Sequence, residues 1–193
     1  MTATRATELA ELILIRHAPA VTGGRLCGRT DVGADLSDGA RLAALRTALP
    51  EGARMVVSPA LRCRQTAGVL RAGDHLADPR LWEQDFGTWD GAPLADLPDL
   101  GPLPPAELAH YRPPKGESFA DLCARVVPAL ADHAQPGQTV IVAHAGTVRA
   151  ALALALGSVE GALAFDVSPL SVTRIARLPG GWQVRTVNWT AGP

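Results

Sequence analysis

Two short stretches of this chain are apolar without alternation, and each stops at a histidine. Leu12 to Ile15 runs into Arg16-His17, and Thr139 to Ala143 runs into His144. A half-exposed strand alternates, so an unbroken run of this length fits a strand covered on both faces, as in a parallel sheet. Met55-Val56-Val57 is a third such run, ending at Ser58-Pro59, and Pro79 to Trp82 is a further candidate strand. Helical spacing occupies the intervals. Ser37 to Leu49 carries Leu42, Leu45 and Leu49 and is closed by Pro50, and Ala60 to Leu70 has Pro59 near its first turn. Phe119, Leu122, Val126 and Leu130 repeat behind Ser118, which stands at capping-box distance from Asp121. Pro128 is expected to kink or end that helix. An apolar helix over Val148 to Leu156 closes at Gly157, and Ser171 to Leu178 and Trp182 to Asn188 flank Pro179-Gly180-Gly181, a hairpin signal.

Alternating strand and helix patterns predict an α/β sandwich with a mostly parallel central sheet and a hairpin at its C-terminal edge, in one domain over 1–193. From about 91 to 116 the chain is dense in proline, which predicts an irregular, lid-like excursion with at most one short helix. Ligands of such sheets bind at the carboxyl ends of the strands. Three strand ends carry polar groups: Arg16-His17, Ser58 leading to Arg62, and His144.

Composition narrows the partners. Lys plus Arg is 18 and Asp plus Glu 19, a formal net charge of -1, so no global field favours nucleic acid or an anionic membrane. Any anion must be held by a local cluster. No stretch reaches the roughly 18 apolar residues of a membrane span, and the N-terminus Met1 to Glu11 is too polar for a signal peptide. Cys27, Cys63 and Cys123 are widely spaced, with neither C-x-x-C pairs nor histidines at metal-ligand spacing. A reducing, cytoplasmic setting is the default, with a small molecule as partner and a monomer or homodimer as the assembly.

The clustered residues suit phosphoryl transfer. A neutral imidazole at His17 is a competent nucleophile, Arg16 and Arg62 offer planar forks for phosphoryl oxygens, and His144 adds a donor where charge accumulates. A carboxylic acid must protonate the departing oxygen. Glu83 is the leading candidate, with Asp85 close enough in sequence to compete.

Five segments in order carry a resemblance: Leu14-Ile15-Arg16-His17, Ser58-Pro59-Ala60-Leu61-Arg62-Cys63-Arg64-Gln65-Thr66-Ala67, Leu81 to Gly91 (with Glu83, Phe86-Gly87 and Trp89), Gly116-Glu117-Ser118, and Val142-Ala143-His144-Ala145-Gly146. The chain resembles the histidine phosphatase superfamily, in its phosphoglycerate mutase-like branch, and within it the alpha-ribazole phosphatases. The resemblance implies a three-layer α/β/α sandwich and His17 as the phosphorylated nucleophile. It also implies Arg16, Arg62 and His144 as the phosphate pocket, Glu83 as proton donor, and neither metal nor organic cofactor. Hydrolysis of a small phosphomonoester is the expected reaction, with alpha-ribazole 5'-phosphate in cobalamin assembly as one substrate. A phosphoglycerate mutase and a weakly catalytic phosphate- or phosphoprotein-binding module are the alternatives. The family's Gly-Glu-Thr after the histidine is replaced by Ala18-Pro19-Ala20, and a later asparagine by Gly23. Arg25 or Arg29 could substitute in holding phosphate on that side, and Ala18 fits only if its φ is negative.

Overall fold

The computed structural model describes residues 9–192, so the N-terminal segment 1–8, most of the polar N-terminal stretch, lies outside the described residues, as does residue 193. Six strands form one sheet: β1 (Ala10–Arg16), β2 (Arg54–Val57), β3 (Leu76–Ala77), β4 (Gly137–Ala143), β5 (Ser171–Leu178) and β6 (Gly181–Thr190), in the order β3-β2-β4-β1-β5-β6. The first four in that order are parallel, and the β5-β6 hairpin joins antiparallel through β1. The helices are α1 (Gly39–Ala48), α2 (Leu61–Leu70), α3 (Pro105–His110), α4 (Phe119–His133) and α5 (Ala145–Leu156).

The unbroken apolar runs are explained by two cores. Leu12, Leu14 and Ile141 face one cluster with Leu122, Val126 and Leu130 of α4 and Val148 and Leu152 of α5. Ile13, Ile15, Val140 and Val142 face the other, with Leu42 and Leu45 of α1 and Cys63 and Ala67 of α2. Successive side chains of a strand point to opposite faces, so covering both faces requires every position to be apolar. This is the expected three-layer α/β/α sandwich.

Local signals place the helix starts. Asp38 accepts the Arg41 amide at 3.0 Å before α1, and Ser118 and Asp121 form a reciprocal capping box before α4. Helix α5 begins three residues earlier than its apolar pattern predicts, because His144, still extended, serves as its N-cap residue. The strand therefore delivers a histidine directly into a helix start.

Two local expectations change. Pro79 to Trp82 is not a strand: Pro79–Leu81 is a 3-10 turn, entered where the Asp78 carboxylate accepts the Arg80 amide at 2.9 Å. Proline's set φ suits the first residue of such a turn, and the strand lies earlier, at β3. Pro128 does not end its helix, since α4 continues to His133. Pro128 and Ala124, whose carbonyl loses its helical partner, are both exposed, so water meets the unpaired group. The proline-rich excursion holds α3 and a short 3-10 turn at Leu94–Asp96, and a further 3-10 turn, Gly87–Trp89, leads into it. Its return is pinned at Gly87, whose φ of 55° and closeness to the Pro114 carbonyl, 2.1 Å from any added Cβ, admit only glycine.

Candidate active site

The end of β1, the end of β4 and the start of α2 converge. The His17 amide donates to the Ala143 carbonyl at 2.9 Å, which ties the two strand ends together. The rings of His17 and His144 stand edge to face, 5.2 Å between centroids, and both are buried. His17 Nδ1 lies 2.6 Å from the Ala18 carbonyl. A carbonyl only accepts, so Nδ1 carries the proton and the lone pair is on Nε2. His144 Nε2 is 2.8 Å from Ser58 Oγ and 3.6 Å from Cys63 Sγ, and its ring stacks on Trp82 at 6.4 Å.

Arg62, on the first turn of α2, is 1% exposed. It donates from Nη2 to the Gly28 carbonyl at 2.8 Å and Cys27 at 3.4 Å, and from Nη1 to Thr30 at 3.2 Å. Nε–H and one Nη1–H are left uncommitted. Arg16 donates from Nη1 to the Val167 carbonyl at 2.5 Å, while its Nε is buried without a partner among the described residues. Neither arginine forms an ion pair among the described residues. Burial lowers the His17 pKa to about 3, and the charges of Arg62 and Arg16 add to the effect. Burial likewise holds His144 well below the ordinary histidine value, helped by His17 and Arg62. Both rings are neutral at physiological pH, and the two guanidinium groups carry the site's positive charge.

Glu83 and Asp85 separate clearly in space. Glu83 Oε2 accepts the Gly146 amide at 3.3 Å and Oε1 the Gln84 amide at 3.0 Å, so its carboxyl group sits against the first turn of α5, two residues past His144. A Cβ on Gly146 would lie 2.2 Å from Glu83 Oε1, so this close approach depends on glycine. Asp85 instead turns back to accept the Gly87 amide at 2.8 Å. The loop carrying Glu83 is held by Arg125, which donates to the Arg80 and Trp82 carbonyls at 2.7 and 3.0 Å and forks onto Glu117. Burial would raise the Glu117 pKa, but the Arg125 hydrogen bonds prevail and lower it.

The remaining site residues lie further out. Arg29 sits 5.7 Å over the Trp82 ring and 3.7 Å from Glu117, at the rim beyond His144, whereas Arg25 is exposed and bonded to the Gly91 carbonyl. Ala18 avoids the left-handed region and donates its amide to Thr66 Oγ1 at 3.0 Å. The altered Ala18-Pro19-Ala20 segment is kept in place by backbone, with the Asp35 amide donating to the Pro19 carbonyl at 2.7 Å. Sequence reading left several contributors unassigned. Thr66 and Asp90 lie inside the quoted motifs, and Asp90 orders the loop behind Arg62 by accepting the Arg29 and Thr30 amides at 2.6 and 2.9 Å. The Val167 carbonyl comes from a segment with no sequence signal.

A cavity of about 380 Å³ opens beside Glu83 and Gly146. The excursion supplies Leu97, Pro98, Leu100, Leu108, Tyr111 and Pro113 to its wall, with Phe86, Trp89 and Phe119 behind them. Trp89 and Tyr111 stack at 5.8 Å. Pocket and cavity thus share the Glu83 carboxyl as a border.

This fold and site define a phosphatase-type α/β protein with two histidines at its centre. Residues 12–190 match the model of the histidine phosphatase superfamily (branch 1), and the chain belongs to that family. It is 32% identical over 155 residues to a bifunctional protein of Mycobacterium tuberculosis, covering 72% of this chain and 41% of that protein. It is 30% identical over 107 residues to a 6-phosphofructo-2-kinase/fructose-2,6-bisphosphatase of Caenorhabditis elegans, covering 53% of this chain and 23% of that protein. The chain thus spans less than half the length of these curated relatives. Among solved structures, the TTHB049 protein of Thermus thermophilus superposes with a TM-score of 0.71 at 30% identity, over 92% of this chain and 99% of that one. A mycobacterial glucosyl-3-phosphoglycerate phosphatase gives 0.78 at 24%, over 93% and 99%. The alpha-ribazole phosphatase of Shigella flexneri gives 0.78 at 22%, over 93% and 96%. The two solved phosphatases share the fold of this chain.

Proposed function

We propose that this chain hydrolyses a small phosphomonoester through a phosphohistidine on His17, with protein cations rather than a metal neutralising the phosphoryl group. The observation that carries the reading is Arg62, a buried guanidinium bonded only to carbonyls and paired with no carboxylate among the described residues. A buried charge without a counter-ion is costly, and a phosphate dianion between Arg62 and Arg16 removes that cost.

The chemistry follows from the geometry. His17 Nε2 attacks phosphorus as the bond to the ester oxygen breaks, and Glu83 gives that oxygen its proton. Water then attacks the phosphohistidine, Glu83 takes up the proton, and the N–P bond pair returns to Nε2. Arg16, Arg62 and a neutral His144 N–H meet the phosphoryl oxygens, while Arg29 acts at the rim.

The cavity beside Glu83 receives the leaving group, and its aromatic lining supports an organic alcohol with an apolar ring. Alpha-ribazole 5'-phosphate fits that description and is the first named substrate to try, in a cytoplasmic setting and with a monomer or homodimer as the working assembly. The mutase alternative needs cations that retain a doubly anionic intermediate: Arg112 is paired with Asp121 at 2.7 Å and Lys115 is exposed, which leaves Arg149 in the cavity wall as its candidate.

The test is turnover of p-nitrophenyl phosphate with excess chelator present. Release of phosphate well above a His17→Ala control, with acid-labile phosphate trapped on the wild-type chain by rapid quench, is expected. Equal rates for the two chains reject the phosphatase reading, and hydrolysis without a trapped adduct rejects its covalent step.

A further inference from the structure

The cavity beside Glu83 contains a cation that the phosphoryl pocket does not use. Arg149 lies on α5, five residues after His144, and lines the cavity together with Glu83. Its Nε–H is committed to the Phe165 carbonyl at 3.1 Å, which fixes the plane of the guanidinium group. Its two Nη groups make no hydrogen bond, and it forms no ion pair, among the described residues. The side chain is half-buried, and the rest of the wall is mainly Leu, Pro and aromatic residues.

Four neighbouring arginines are engaged differently. Arg125 forks onto Glu117, Arg29 approaches the same carboxylate and Trp82, and Arg62 is held by three carbonyls. Arg112, at the end of the excursion, is paired with Asp121. Arg149 alone among these combines a place in the leaving-group cavity with two idle Nη groups. Its charge also reaches Arg16, whose pKa falls through burial first and through Arg149 among the lesser causes.

We infer that Arg149 selects the leaving group: the preferred ester is a ring-bearing alcohol phosphate whose apolar body fills the cavity and whose carboxylate is gripped by the Arg149 Nη groups. A planar fork with two free donors matches a carboxylate in bidentate geometry, and apolar surroundings strengthen that attraction over its value in water. A neutral, ribazole-like leaving group can offer Arg149 only hydroxyl oxygens. The inference rests on the phosphatase reading above, because Glu83 is what aligns the cavity with the breaking bond. Arg149 then acts on specificity and has no part in the transfer of the phosphoryl group.

The experiment compares 3- and 4-carboxyphenyl phosphate with the corresponding carbamoylphenyl phosphates, which have nearly the same shape but no charge. The wild-type chain is expected to prefer at least one carboxylate ester by about 10-fold or more in kcat/KM, the size of one charge-assisted hydrogen-bonded pair. In Arg149→Met that preference ratio is expected to collapse towards one, and Arg149→Lys should retain part of it. A ratio near one in the wild type overturns the inference, as does a ratio unchanged in Arg149→Met, whatever happens to the absolute rates. Inhibition of the wild type by 3- and 4-hydroxybenzoate against the hydroxybenzamides gives a reading free of any variant, and equal inhibition by acid and amide again overturns it. If p-nitrophenyl phosphate is hydrolysed without such a preference, only this inference fails. If no ester is hydrolysed at all, the phosphatase reading falls first.

Discussion

Around His17 the chain buries charge. Two neutral imidazoles, an Arg62 that is 1% exposed and a buried Arg16 Nε share one pocket, and backbone carbonyls position both arginines. A few residues away, beyond Glu83, the chain builds an apolar wall from the excursion and Phe86, Trp89 and Phe119. The first region is assembled from strand ends and helix starts, whose backbone is rigid and whose polar groups point outward from the sheet. The second comes mostly from a segment with little regular structure, anchored near Gly87. The contrast teaches that, under the proposed function, the reaction and the choice of substrate fall to parts of the chain with different mechanical support. Substitutions in the first should alter rate, and substitutions in the second should alter selection.

The largest effect should come from His17→Ala, which removes the proposed nucleophile: phosphatase turnover falls by about 10³-fold or more, read by steady-state phosphate release. Residual activity within 10-fold of wild type would dissolve the distinction between the two regions. Arg62→Ala should follow, with a loss of about 10² to 10³-fold in kcat/KM. Arg62→Lys should recover little of it, since one ammonium cannot hold three carbonyls and a phosphoryl group together. At the border, Glu83→Gln should cost about 10²-fold on alkyl phosphates and far less on p-nitrophenyl phosphate, whose leaving group needs no proton. Gly146→Ala should show the same dependence on leaving group at smaller size, because its Cβ would displace Glu83. An effect independent of the leaving group would remove Glu83 from protonating the ester oxygen and leave it only the water step.

The buried histidines also predict acid sensitivity with a definite sign. His17 has a folded pKa of about 3 against an unfolded value of 6.5, so between those limits the unfolded chain binds more protons than the folded one. Stability is undiminished above pH 6.5 and declines as pH falls below it. By pH 5 the loss is about 2 kcal/mol for His17 alone, and His144 shifts in the same direction. Urea unfolding at pH 7 and pH 5 measures this, and His17→Asn should flatten the dependence. The smallest effect is expected in the apolar wall, where Leu100→Ala should change KM by less than about 5-fold on an aryl phosphate and leave kcat nearly intact. A large fall in kcat there would show that the excursion supports the chemistry as well.

Much of the fold and of the site is legible in the order of residues. The unbroken runs at Leu12 to Ile15 and Thr139 to Ala143 announce strands covered on both faces, and Ser118 with Asp121 announces the start of α4. These signals are local: periodicity and capping depend on residues within a turn or two of one another. The two elements that differ from expectation are local conflicts. Pro79 to Trp82 has the composition of a short strand, yet the Asp78 side chain makes it a 3-10 turn. Pro128 obeys the rule for helix breakers except that the carbonyl it leaves unpaired faces water.

The sequence by itself determined the two-sided strands, the helix starts and the identity of the polar residues at the strand ends, because each is written in a few neighbouring positions. Only the tertiary structure decided that Glu83 and not Asp85 reaches the first turn of α5, and that, among the described residues, Arg62 is buried without a carboxylate and Arg149 keeps two idle Nη groups in an apolar cavity. Those three facts depend on which segments meet across the fold. Burial, neutralisation and hydrogen-bond supply are properties of that meeting, and no single segment carries them.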